Sequence, residues 1–134
     1  MQKTIIACVE DLFFRSKIEA TARHLNVPVR FVGAKELAPA CAEAGAAAVL
    51  VELSANGAAF PAARDVCAAP AGAAIPVIGF LSHVDRKLAQ EAEAAGLKVL
   101  PRSQFSESLP DLLMDLLAPG TKREIQEEPE LPDE

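Results

Sequence analysis

Five short apolar runs, each followed by a segment with helical spacing, constrain this chain of 134 residues more than any other feature. Residues 4–9, 29–32, 46–51, 75–80 and 98–100 are strand-sized, and the run at 46–51 contains no polar residue at all. Such a run suits a strand covered on both faces. Between the runs the period changes. Over 12–25, Phe14, Ile18, Ala22 and Leu25 share one helical face. A helix is expected over 35–44, ending at Gly45, and a stronger one over 84–95, with Val84, Leu88 and Ala92 aligned and Gly96 as its stop. Residues 54–74 hold only a short helix, around the run Ala63 to Cys67. A last helix covers 109–117, stopped by Pro119 and Gly120. Alternation of this kind predicts an α/β fold, a flavodoxin-like doubly wound sheet of five parallel strands with helices on both faces. A closed barrel of such units needs about 250 residues.

Composition narrows the class. An apolar fraction of 51%, with only 4% aromatic, gives one domain with a core of small side chains. No apolar run approaches the roughly 18 residues of a membrane span, and the first residues carry no signal-peptide pattern. Cys8, Cys41 and Cys67 are widely spaced, which reads as buried apolar thiols in a reducing, cytoplasmic setting. Net charge is −6. From Gly120 onward Lys122 and Arg123 face six carboxylates, a local net of −4, so the remainder carries −2. The expected division is a domain over 1–118 and a disordered acidic tail over 119–134. Neither part has the basic stripe of a nucleic-acid binder. The tail is too short and polar to form an output domain.

Chemistry gathers at strand ends. Glu10 and Asp11 follow the first run, and Glu52 closes the third. Carboxyl-side strand ends are where ligands and ions sit in a parallel sheet. Ser82, His83 and Asp85 crowd the loop after the fourth run, too compactly for a hydrolase triad, whose members meet from separate parts of a fold. Ser82 or Asp85 instead suits the cap of the next helix. Phe13 and Phe14 are adjacent, so both cannot face the core from one helix. Phe14 takes the apolar stripe, and Phe13 is left at the loop edge or the surface. The glycines are isolated, with no phosphate-cradling motif, and no His/Cys metal spacing is present.

With Val9-Glu10-Asp11, the run from Gly45 to Glu52, Ile75-Pro76-Val77-Ile78, Glu93-Ala94-Ala95-Gly96 and Phe105 in place, residues 3 to 118 resemble the receiver (CheY-like) domain of bacterial response regulators. The resemblance implies two-component or phosphorelay signalling, a strand-three aspartate that accepts a phosphoryl group, and a Mg²⁺ held by acids. In this chain those acids are Glu10, Asp11 and Glu52. The departures are as informative. Glu52 replaces the acceptor aspartate, and its extra methylene moves the carboxylate by about 1.5 Å. Leu81 falls at the switch-hydroxyl position and Ser103 at the lysine position, with Ser82 and Arg102 one residue away. A slip of one residue turns a strand side chain to the other face. Carboxylates partly solvated, or paired with Arg102, are favoured over a Mg²⁺ site.

The expectation is a degenerate pseudo-receiver. It is a stand-alone signalling module without enzymatic activity or a required cofactor, acting on a kinase, a regulator or a second copy through the fourth helix, fifth strand and fifth helix. The competing readings are a small-molecule-binding protein on the same scaffold and an atypical Mg²⁺-dependent phosphorelay receiver.

Overall fold

Strand and helix alternate as the periodicity predicts. The computed structural model describes residues 4–43, 46–53, 59–68, 75–81 and 85–117. In chain order the elements are β1 (Thr4–Cys8), α1 (Leu12–Leu25), β2 (Val29–Phe31), α2 (Ala34–Ala42), β3 (Ala46–Glu52), α3 (Ala59–Ala68), β4 (Val77–Leu81), α4 (Arg86–Ala94), β5 (Lys98–Pro101) and α5 (Arg102–Leu117). The five strands form one sheet in the order β2-β1-β3-β4-β5. Every pairing is parallel. Ser82, His83 and the tail expected over 119–134 lie outside the described residues.

Because strand side chains alternate, the sheet feeds two cores. Ile5, Ala7, Leu50, Ile78 and Phe80 pack against Phe14 and Ile18 of α1 and Phe105, Leu109 and Leu113 of α5. Ile6, Val49 and Val51 point the other way, toward Leu37 and Cys41 of α2, Ala63 and Val66 of α3 and Ala92 of α4. Three aromatic rings brace the first side: Phe80 stacks on Phe105 with centroids 4.2 Å apart, and Phe14 leans on Phe80 at 5.0 Å. Offset contacts of this kind add to simple area burial.

Local chemistry sets the helix limits. The Asp11 carboxylate accepts from the Phe13 and Phe14 backbone N–H groups and starts α1. Asn26, at φ 59°, ends it in the left-handed conformation that asparagine tolerates. Asp85 caps α4 through the Leu88 N–H, and Gly96 at φ 107° follows that helix. One expectation needs correction. The last helix begins at Arg102, not at Leu109, because the apolar stripe of Leu109, Leu113 and Leu116 extends back to Phe105. Pro110 lies on the exposed side within that helix, where it has no N–H to donate but removes no core contact.

Gly79 is fixed by close approach. A Cβ built there would lie 2.6 Å from Leu53 Cδ1 and 2.9 Å from Leu53 Cγ. Leu53 is itself buried, so it has little room to withdraw. Gly79→Ala is expected to destabilise the fold by about 1–3 kcal/mol, the usual cost of overpacking. Urea unfolding checks this, and the same change made with Leu53→Ala should cost less than the sum of the two single substitutions.

Candidate functional site

β1 and β3 are neighbours, so their carboxyl ends bring the β1–α1 loop beside the last residue of β3. That residue, Glu52, is the one charged side chain buried among the described residues, at 8% exposure. Its Oε1 accepts two backbone hydrogen bonds, from the Glu10 N–H at 2.8 Å and the Asp11 N–H at 2.9 Å. The longer side chain thus reaches across to the loop and holds it. Asp11 is engaged in turn, with its Oδ1 on the first turn of α1. Two of the three expected ligand carboxylates are therefore working as hydrogen-bond acceptors for the backbone. Glu10 has its backbone in the same place and its side chain exposed.

Where a resident Mg²⁺ would draw on these acids, one oxygen each of Glu52 and Asp11 is already taken by backbone N–H groups. A hard cation of this kind takes several oxygen ligands in near-octahedral geometry. Among the described residues no place gathers three or more His, Cys, Asp or Glu side chains that could hold a metal. Arg102 is exposed at the start of α5. It makes no salt bridge to Glu52; among the described residues the ion pairs are Arg23–Glu19 and Arg30–Glu43. Ser103 is exposed in the same first turn, and Leu81 is buried in the core facing α2, α3 and α4.

Sequence reasoning turned Phe14 to the core and left Phe13 at the loop edge or surface, and Phe14 is 8% exposed and Phe13 67%, with the two rings edge to face at 5.3 Å. It missed Leu12, which is 76% exposed beside Phe13. The Arg15 guanidinium lies 4.7 Å from the Phe31 ring centre and donates to the Val9 carbonyl at 3.4 Å. The helical-cap role of Asp11 was open to prediction, since an aspartate directly precedes an apolar-periodic segment. The acceptor role of Glu52 had no such signal.

Cys8, at the end of β1, completes the electrostatic picture. Burial raises its thiol pKa above the ordinary 9.0, and the negative charges of Glu10, Glu52 and Glu36 raise it further. Burial also raises Cys41 and Cys67. Among the described residues the three cysteines are unbridged.

With this geometry established, comparison with solved structures gives the fold a reference. The chain superimposes on the response regulator from Hahella chejuensis with a TM-score of 0.75 and 15% identity, covering 88% of this chain and 97% of that one. The chemotaxis response regulator CheY4 of Vibrio cholerae gives 0.72 and 15%, over 87% and 100%. The receiver domain of the sensor histidine kinase PA1611 from Pseudomonas aeruginosa gives 0.71 and 17%, over 87% and 98%, and that structure holds a magnesium ion in its active-site cleft. No family model and no curated protein matches the sequence. The chain has the CheY-like receiver fold.

Two outcomes follow from the site. Glu52→Ala strands two partly buried N–H groups and should lower stability by about 1–3 kcal/mol. Glu52→Gln keeps an acceptor oxygen in reach and should cost less, whereas Glu52→Asp, about 1.5 Å shorter, should behave more like alanine; urea midpoints rank the three. The raised Cys8 thiol means that the folded chain holds this proton more tightly than the unfolded one. Its contribution to stability is complete below pH 9.0 and is lost as pH rises through the folded value. Thermal unfolding across that alkaline range should show a decline that is smaller in Cys8→Ala.

Proposed function

We propose that this chain is a receiver-like signalling module that acts by protein interaction and does not accept a phosphoryl group. One observation carries the reading: the Glu52 carboxylate, at the position where receivers keep their reacting aspartate, is buried and tied to the backbone of Glu10 and Asp11. Phosphoryl transfer is almost wholly positioning and charge stabilisation. A misplacement near 1 Å can cost roughly a hundredfold in such a reaction. Here the carboxylate is both displaced and occupied. The groups that would stabilise the incoming charge also differ, with Ser103 exposed and Leu81 apolar and buried. The fixed negative group at this point stands in for a permanently modified state.

The output surface is the side built by α4, β5 and α5. A groove of about 170 Å³ opens between α4 and β5, floored by Leu81, Ala89, Val99 and Pro101 and flanked by Asp85, Arg86 and Glu93. An apolar floor with a charged rim suits a side-chain anchor from a partner protein. Regulation then comes from a partner, a ligand or expression level, in a cytoplasmic setting. No helix of the described residues is long and apolar enough to cross a membrane.

Incubation with acetyl phosphate and Mg²⁺, read by intact mass, tests the reading. The expected result is an unmodified chain, with a thermal midpoint that Mg²⁺ alone leaves unchanged. A phosphoryl adduct that disappears in Glu52→Gln would establish an atypical phosphorelay receiver instead.

A further inference from the structure

The segment after α5 sets cations, one aliphatic side chain and anions in order: Lys122, Arg123, Glu124, Ile125, Gln126, Glu127 and Glu128. In an extended segment every second residue shares a face, so Arg123, Ile125 and Glu127 point one way. The groove between α4 and β5 presents the opposite signs in the same order. Glu93 flanks one end, Ala89 and Val99 lie in the apolar floor, and Arg86 flanks the other end. Arg102 adds a second cation there, directly after the lining residue Pro101. Arg86, Glu93 and Arg102 are exposed, and none of them makes an ion pair among the described residues. Asp85, the other acid of the rim, is engaged in capping α4.

The path of the chain fixes the direction. Asp115, near the end of α5, shares a cleft with Lys98, the first residue of β5. α4 ends at Ala94, just before that strand. The chain therefore leaves α5 at the Glu93 end of the groove, with only the sheet edge at β5 to pass. Ile125 follows Leu117 by 8 residues, up to about 27 Å of extended chain. A segment entering there brings Arg123 to Glu93, Ile125 to the floor and Glu127 to Arg86. Arg86 and Glu93 are two helical turns apart, about 10.5 Å. Arg123 and Glu127 span about 13 Å when extended.

We propose that residues 122–128 of this chain dock in its own α4–β5 groove, with Ile125 as the anchor. A short tether holds that anchor at an effective concentration in the millimolar range. A contact too weak to form between separate molecules is then populated within one. The docked segment covers the floor on which a partner's side chain would sit, and a partner that binds the groove more tightly displaces it. This regulatory consequence rests on the reading of the α4–β5–α5 side as the output surface; the contact itself does not.

Amide NMR spectra of the full ¹⁵N-labelled chain test the proposal. No partner and no phosphodonor is present, so failure here is distinct from failure of the reading above. Ile125→Ser should lower the docked-to-free ratio roughly tenfold, the scale of one buried aliphatic side chain. It should shift the Ala89 and Val99 amides and loosen residues 123–127 on the picosecond to nanosecond scale. Arg86→Glu and Glu127→Lys should each move Val99 toward its position in Ile125→Ser, as should high salt. The two reversals together restore opposite charges and should return Val99 to its wild-type position. Circular dichroism confirms that each variant is folded. Wild-type and Ile125→Ser spectra that coincide at Ala89 and Val99, or a double reversal that restores nothing, would overturn the proposal. So would wild-type shifts that change on dilution, which would assign the groove to a second copy.

Discussion

The bond pair from the Glu10 and Asp11 N–H groups to Glu52 Oε1 joins the end of the sheet to the start of the first helix. It comes from β3, the central strand, and ends on a loop whose next residue caps α1. Hydrogen bonds to a charged acceptor are stronger than neutral ones, and a buried carboxylate without partners would be costly. The placement of α1 follows from this contact. With α1 so placed, Phe14 is turned onto Phe80 and Phe13 outward, edge-on to Phe14. The Glu52 carboxylate thus fastens the end of β3 to the first loop.

Much of the fold was legible because it rests on period and punctuation. The strands at 46–51 and 75–80 are apolar throughout, and a strand buried on both faces can hardly be written otherwise. The ends of α1 and α4 were legible through Leu25 followed by Asn26 and through Gly96. The start of α5 was not. Pro110 resembles a helix opening, since proline favours the first turn, whereas α5 runs back through Phe105 to Arg102. The site was legible as a location and not as a geometry. Strand order alone brings Glu10, Asp11 and Glu52 together, but which oxygen meets which N–H depends on side-chain torsions that no spacing rule encodes. Leu12 likewise reads as an ordinary helix residue until the orientation of α1 is known.

The two cores divide the molecule's surfaces as well as its interior. α1 and α5 cover one side of the sheet and α2, α3 and α4 the other, so the groove beside α4 and the apolar face of α1 are served by different layers. The ring stack of Phe14, Phe80 and Phe105 lies wholly within the first layer. One surface can therefore be altered by substitution with little effect on the packing beneath the other.

The sheet's margins carry a final implication. β2 has three residues and is preceded by Pro28, with Arg30 exposed and paired to Glu43; β5 has four, opens with an exposed Lys98 and closes at Pro101. Brief borders bearing cations and prolines discourage another chain from adding a strand. A visiting peptide is thereby denied the main-chain ladder that many recognition domains extend. Selectivity must be written in side chains on the helices, which makes binding specificity open to change by point substitution while leaving the scaffold guarded against fibrillar assembly.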